Sequence, residues 1–150
     1  SQLRMVGDGP LWEEAKEYVS AHGLSESIHF LGAMGQSDYL PLLQESNVFI
    51  QHSVLTPSGD SEGTPVAILE ASACGLAICS TRHAGIPDAV IEGKTGLLVD
   101  EHDVEGMAAA LKSLASDYAA TRALGVAARK HMEEQYDVVK LSAKIKGLLV

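Results

Sequence analysis

The chain has 150 residues, 46% hydrophobic and 21% charged, a length and balance that suit one globular core and exclude the disordered, collagenous and disulfide-stapled classes. Twenty acidic residues against eleven basic ones leave a formal charge of -9, which repels phosphate backbones and anionic headgroups and argues against nucleic-acid binding. No apolar run approaches the roughly 20 residues that span a bilayer and the start carries no signal-peptide pattern, so a soluble, cytoplasmic segment is expected.

Short β-type runs alternate with helix-type runs, the pattern of a parallel sheet covered on both faces by helices. The sequence predicts a strand at Leu3–Val6, a helix over 11–22 stopped by Gly23, a strand over 28–31, and a helix over 38–45 with Ser37 as its N-cap. A strand at Val48–Gln51, a helix over 65–74 stopped by Gly75, a strand over 77–80, a helical turn over 87–91 and a strand over 97–99 follow. Asp103 stands where a cap belongs for a helix over 104–115. From Asp117 onward alanines, leucines and charges recur at helical spacing, with a break near Gln135 and Asp137 in place to cap a last helix, so a helical tail packed on the sheet is expected. Trp12 reads as a packing anchor, and Cys74 and Cys79, lacking zinc-type spacing, as reduced core thiols.

The chemistry is concentrated between the third and fifth strands. The loop Thr56-Pro57-Ser58-Gly59-Asp60-Ser61-Glu62-Gly63-Thr64 leaves a strand and opens a helix, and strand C-termini are where open parallel sheets bind ligands. With Thr64 as cap and Pro65 at the first helical position, free N–H groups around Gly63 to Val66 would point into the loop and welcome a phosphate. A capped helix start with no ligand accounts for the same pattern. The helix that follows is apolar or small except at Glu70 and Ser72, which predicts burial all round. A carboxylate there needs a partner, either a structural contact or a pair of ligand hydroxyls.

Glu62 and Glu70, separated by seven residues, bracket this junction, and downstream come Gly85-Ile86-Pro87-Asp88 and Glu92-Gly93-Lys94-Thr95-Gly96-Leu97-Leu98-Val99. Together with Val6-Gly7-Asp8-Gly9-Pro10 and Phe30-Leu31-Gly32, these motifs resemble the retaining GT-B glycosyltransferases of family 4, the group 1 glycosyl transferases, over nearly the whole chain. The run Ser80-Thr81-Arg82-His83-Ala84-Gly85-Ile86-Pro87 is most similar to the colanic acid and amylovoran branch of exopolysaccharide assembly.

The resemblance implies a Rossmann-like doubly wound parallel sheet, the C-terminal nucleotide-sugar-binding domain of a GT-B enzyme, formed by residues 1–150 as a single domain. It implies that Glu62 contacts hydroxyls of the transferred sugar in the catalytic centre and that Glu70 accepts from the ribose. Backbone around Gly63, Thr64, Pro65 and Val66 would hold the diphosphate, and Ala33 and Met34 would border the base. No metal or other cofactor is implied; the nucleotide diphosphate sugar is the donor substrate. The family's arginine and lysine for the diphosphate have no match in this chain. The acceptor-binding N-terminal domain is also absent, so the sugar, glycolipid or lipid-linked acceptor, and any peripheral membrane association, would come through parts outside it. If Leu3–Val6 is the family's second strand, the first, central strand of the order 3-2-1-4-5-6 is missing, and the fragment alone is expected to be marginal and inactive. Paired glycines common in the family are replaced by His83-Ala84-Gly85. Two other functions fit the pattern: a non-catalytic nucleotide-sugar-binding module, and another GT-B enzyme such as a sugar-nucleotide epimerase. Arg82 is expected to approach phosphate or to pair with Asp88; His83, in a loop facing the expected site, reads as an exposed side chain or a ligand contact; His22, His29, His102 and His131 are read as surface groups, and His52 as capping its loop.

Overall fold

The computed structural model describes residues 1–55, 59 and 63–148, the side chains at 144, 145, 147 and 148 excepted. The described residues form two compact units, Ser1–Leu42 and Leu43–Val150.

In the first unit β1 (Leu3–Val6) pairs in parallel with β2 (Ile28–Gly32), in a register that sets Leu3 against Ile28 and shifts between Met5 and Val6. Between them runs α1 (Trp12–Ala21), whose first turn carries Glu13 and Glu14 where the helix dipole favours acids. Gly23, at φ +65°, ends it by letting the Leu24 N–H fold back to the Val19 carbonyl at 2.9 Å. The Trp12 ring meets the Phe30 ring edge-on, 5.1 Å between centroids, and is the anchor the sequence predicts. The next helix, α2 (Gln36–Glu45), starts two residues earlier than expected. The Gly35 carbonyl accepts from the N–H groups of Asp38 and Tyr39, at 3.0 and 3.2 Å, which begins the ladder there. Ser37 is therefore inside the helix, its hydroxyl donating to the Asp38 carboxylate at 3.3 Å instead of capping.

The second unit is built on three parallel strands in the order β3 (Val48–Gln51), β4 (Ala77–Thr81), β5 (Gly96–Val99). Every residue of β4 is buried, which is why it reads as a continuous run without polar alternation. Ala77 and Cys79, two apart and so on one face, pack with Leu114, Met107, Ala110 and Leu111 of α5 (Val104–Ser116). Entering β4 is α3 (Val66–Ala73), and leaving it is the single turn α4 (Ile86–Ala89). The tail folds as α6 (Tyr118–Gln135) and α7 (Val138–Leu148). Three aspartates cap these helices through backbone N–H groups: Asp103 from Gly106 at 2.8 Å, Asp117 from Ala120 at 2.9 Å, and Asp137 from Val139 and Lys140 at 2.8 and 3.0 Å. Gly125 lets α6 lie against the turn between α3 and β4, since a Cβ there would collide with the Gly75 carbonyl.

The strand neighbours reproduce the two runs of a doubly wound order, 3-2 and 4-5-6, when β1 is numbered as the fold's second strand. Among the described residues the strands pair as two separate sheets.

Two expectations for α3 are corrected. Pro65, with φ -60° and ψ 127°, occupies the N-cap position and the helix proper starts at Val66, because the Thr64 hydroxyl is drawn away from capping to donate to the Gly85 carbonyl at 3.1 Å. Nor is the helix buried all round: Ile68, Ala71 and Ser72 are, but Val66 is 66% exposed and Ala73 is exposed.

Candidate functional site

Because β3, β4 and β5 are parallel, the loops that follow them, 52–55, 82–85 and 100–103, leave the same edge of the sheet. Side chains stitch these loops together. The Thr81 hydroxyl accepts from the Ser53 N–H at 3.1 Å and donates to the Ser53 carbonyl at 2.5 Å. Ser80 donates to the Gln51 carbonyl at 2.6 Å. Glu101 reaches both neighbours, accepting from the Leu55 N–H at 2.8 Å through Oε2 and contacting His83 Nδ1 at 2.7 Å through Oε1. The bond from Leu55, and then that from His83, hold the Glu101 carboxyl below its ordinary range. A carboxylate can only accept, so Nδ1 of His83 carries the hydrogen.

The entrance to α3 is docked on the β4 loop. Besides the Thr64 bond, the Gly85 N–H donates to the Gly63 carbonyl at 3.3 Å, and a Cβ on Gly85 would sit 2.5 Å from the Thr64 hydroxyl oxygen. Ala84 beside it has φ +44°, a left-handed conformation that glycine adopts at less cost. No hydrogen-bond acceptor among the described residues takes the N–H groups of Gly63, Thr64, Val66 or Ala67; Pro65 has none to offer. A helix start with unclaimed donors at strand C-termini suits an anion.

Glu70 lies one turn into α3, on the side of Val66 and Cys74, half-buried. Burial and then the Glu70 charge raise the Cys74 thiol, against a lowering by Arg129. Glu62, the sequence's other acid, lies outside the described residues. Ala33, exposed, and Met34, half-buried, follow β2 in the first unit. Gly63, Thr64, Pro65 and Val66 form the entrance to α3 in the second, and Glu70 follows one turn into the helix. Among the described residues no group of three or more His, Cys, Asp or Glu side chains could hold a metal ion, and no helix is long and apolar enough to cross a membrane.

Several readings of single residues change. His83 is buried, 3% exposed, because Glu101 supplies its partner. Arg82 pairs not with Asp88 but with Glu92 at 3.2 Å and Asp100 at 3.4 Å. Glu92 in turn accepts from the Leu98 N–H at 2.8 Å, which fixes the arginine's partner on the sheet. His29 and His131 are half-buried, whereas His22 and His102 are exposed as expected. The His52 and His102 rings meet edge-on with centroids 6.4 Å apart. Glu101 escaped the sequence reading because its partners are 46 and 18 positions away. The signal available was an acid two residues beyond a strand end, in a loop at the C-terminal edge of a parallel sheet.

Residues 1–131 match the family model described as Glycosyl transferases group 1. A WcaL glycosyltransferase assigned to colanic acid biosynthesis in Salmonella typhimurium is 30% identical over 149 residues, covering 99% of this chain and 37% of that protein. The amylovoran biosynthesis glycosyltransferase AmsK of Erwinia amylovora is 31% identical over 136 residues, covering 91% of this chain and 33% of its own length. The chain thus spans little more than a third of the curated relatives it matches. Alr3699/HepE of Anabaena, solved in complex with UDP, matches with a TM-score of 0.83 at 21% identity, over 99% of this chain and 40% of that one. The fold is that of the Rossmann-like part of GT-B glycosyltransferases.

Proposed function

The chain belongs to the group 1 glycosyl transferases, and we propose that it supplies the donor-binding part of a retaining hexosyltransferase, holding a nucleotide diphosphate sugar for transfer to a sugar, glycolipid or lipid-linked acceptor in polysaccharide or glycolipid assembly. The observation that carries this reading is the entrance to α3, where N–H groups of Gly63, Thr64 and Val66 that no acceptor among the described residues takes meet the strand exits, with Glu70 one turn along. Residues 1–150 act as the donor domain, and the acceptor site belongs to a domain outside them.

In this reading the α3 entrance takes the diphosphate, whose charge the backbone donors and the helix dipole favour. Glu70 accepts from the two ribose hydroxyls, which suit the paired oxygens of a carboxylate. Glu62 contacts hydroxyls of the departing sugar, and Ala33 and Met34 border the base. Attack comes on the face the leaving group departs from, and the leaving phosphate helps take the acceptor's proton. The protein contributes orientation and stabilisation of negative charge. The chemistry needs no metal and takes place in the cytoplasm. HepE was solved with UDP, so uridine diphosphate sugars are the first donors to try.

Titrating the full-length protein with uridine, guanosine and adenosine diphosphate sugars, with product analysis, tests the proposal. Transfer or hydrolysis with the anomeric configuration kept is the expected result. Binding without turnover would make it a binding module, epimer formation would make it an epimerase, and no binding to any of the three would remove the donor site.

A further inference from the structure

Glu101 is the one described side chain that joins the exit of β3 to the loops after β4 and β5: it stands in the last, accepts from Leu55 in the first and holds His83 in the second. His83 is buried and its carbonyl accepts from the Ile86 N–H at 3.0 Å, so the ring's position and that of the 83–86 turn are set together. That turn carries Gly85, whose N–H and carbonyl engage Gly63 and Thr64 at the entrance to α3. The tie therefore runs from Glu101 through His83 and Gly85 to the backbone donors of the proposed diphosphate site. Both links made by the Glu101 carboxylate are charge-assisted and short, 2.8 Å to the exposed Leu55 N–H and 2.7 Å to the buried His83 ring, where such bonds hold geometry best.

We propose that Glu101 is a positioning residue for the donor site, fixing through His83 and Gly85 where the N–H groups of Gly63, Thr64 and Val66 point. The proposal rests on the donor-site reading. Glu101 touches no part of the donor; it acts by holding the site in the shape that receives a diphosphate, so that binding does not have to order three loops at once.

The test uses the full-length protein with UDP, GDP and ADP as probes, followed by titration calorimetry and by thermal melting. Glu101→Gln keeps both contacts, its Oε1 accepting from Leu55 and its amide donating to the other tautomer of His83; Glu101→Ala keeps neither. The Gln variant is expected to bind the preferred nucleotide within about threefold of wild type, and the Ala variant roughly tenfold more weakly. His83→Leu, which leaves no donor at the other end of the tie, is expected to match the Ala variant and guards against one substitution failing to fold. A purely structural role would lower the melting midpoint and leave the affinity of the folded protein unchanged, and that result in either folded variant overturns the proposal. Wild-type protein that binds none of the three nucleotides would refute the donor site itself, and this proposal with it.

Discussion

The Thr64 hydroxyl donates to the carbonyl of Gly85, and no side chain fits between the two residues. The loop after β4 therefore serves as the seat on which the entrance to α3 rests. Gly85→Ala should push that entrance away, costing about 1–3 kcal/mol of stability as overpacking does. The same change should weaken nucleotide binding in the protein that remains folded. Thermal melting and a nucleotide titration on the variant check both halves of the expectation.

Burial, reinforced by Glu92, pushes the Cys79 thiol up to about 11, and burial with Glu70 raises Cys74 as well. The thiolate is the reactive form, so both cysteines should be slow towards a thiol reagent at pH 8, with Cys79, fully buried in β4, the slower. Reaction with a chromogenic disulfide, with and without denaturant, reads this directly. Fast stoichiometric labelling of Cys79 in the native protein would mean that β4 is not buried.

Glu101 gives a dependence on pH with a definite sign. Its carboxyl is held below the ordinary 4.5 by the Leu55 N–H and then by His83, so the folded state prefers the ionised form. That contribution is complete above the ordinary value and is lost as pH falls through the lowered one. In Glu101→Gln this component is removed, and denaturant unfolding measured between neutral pH and about pH 3 should fall less steeply than in wild type. Equal slopes would show that the bonds to Leu55 and His83 do not persist in solution.

Elements whose signals are local were legible in the sequence. Gly23 and Gly75 mark helix ends, Asp103 and Asp137 cap where their spacing to the next apolar run says they should, β3 falls where expected, and β4 and β5 differ from expectation by one residue at an end. Misreadings occurred where tertiary contacts override local preference. Thr64 has the side chain of an N-cap, yet its hydroxyl is claimed by Gly85, twenty-one positions away. His83 has the look of a surface histidine until Glu101 arrives from another loop. The apolar composition of α3 pointed to burial on every side, but the helix keeps one face exposed, with Val66 and Ala73 on it. Of the candidate site, Gly63 to Val66 and Glu70 are the residues the loop-to-helix pattern proposes, whereas the links between loops needed coordinates.

The central claim is that the start of α3 and Glu70 grip a nucleotide. Glu70→Ala in the full-length protein, titrated with the preferred nucleotide diphosphate, tests it most directly. Removing a charged acceptor of two hydroxyl hydrogen bonds should weaken binding by roughly ten- to a hundredfold while the circular dichroism spectrum stays that of wild type. A folded Glu70→Ala protein with undiminished affinity would contradict the account.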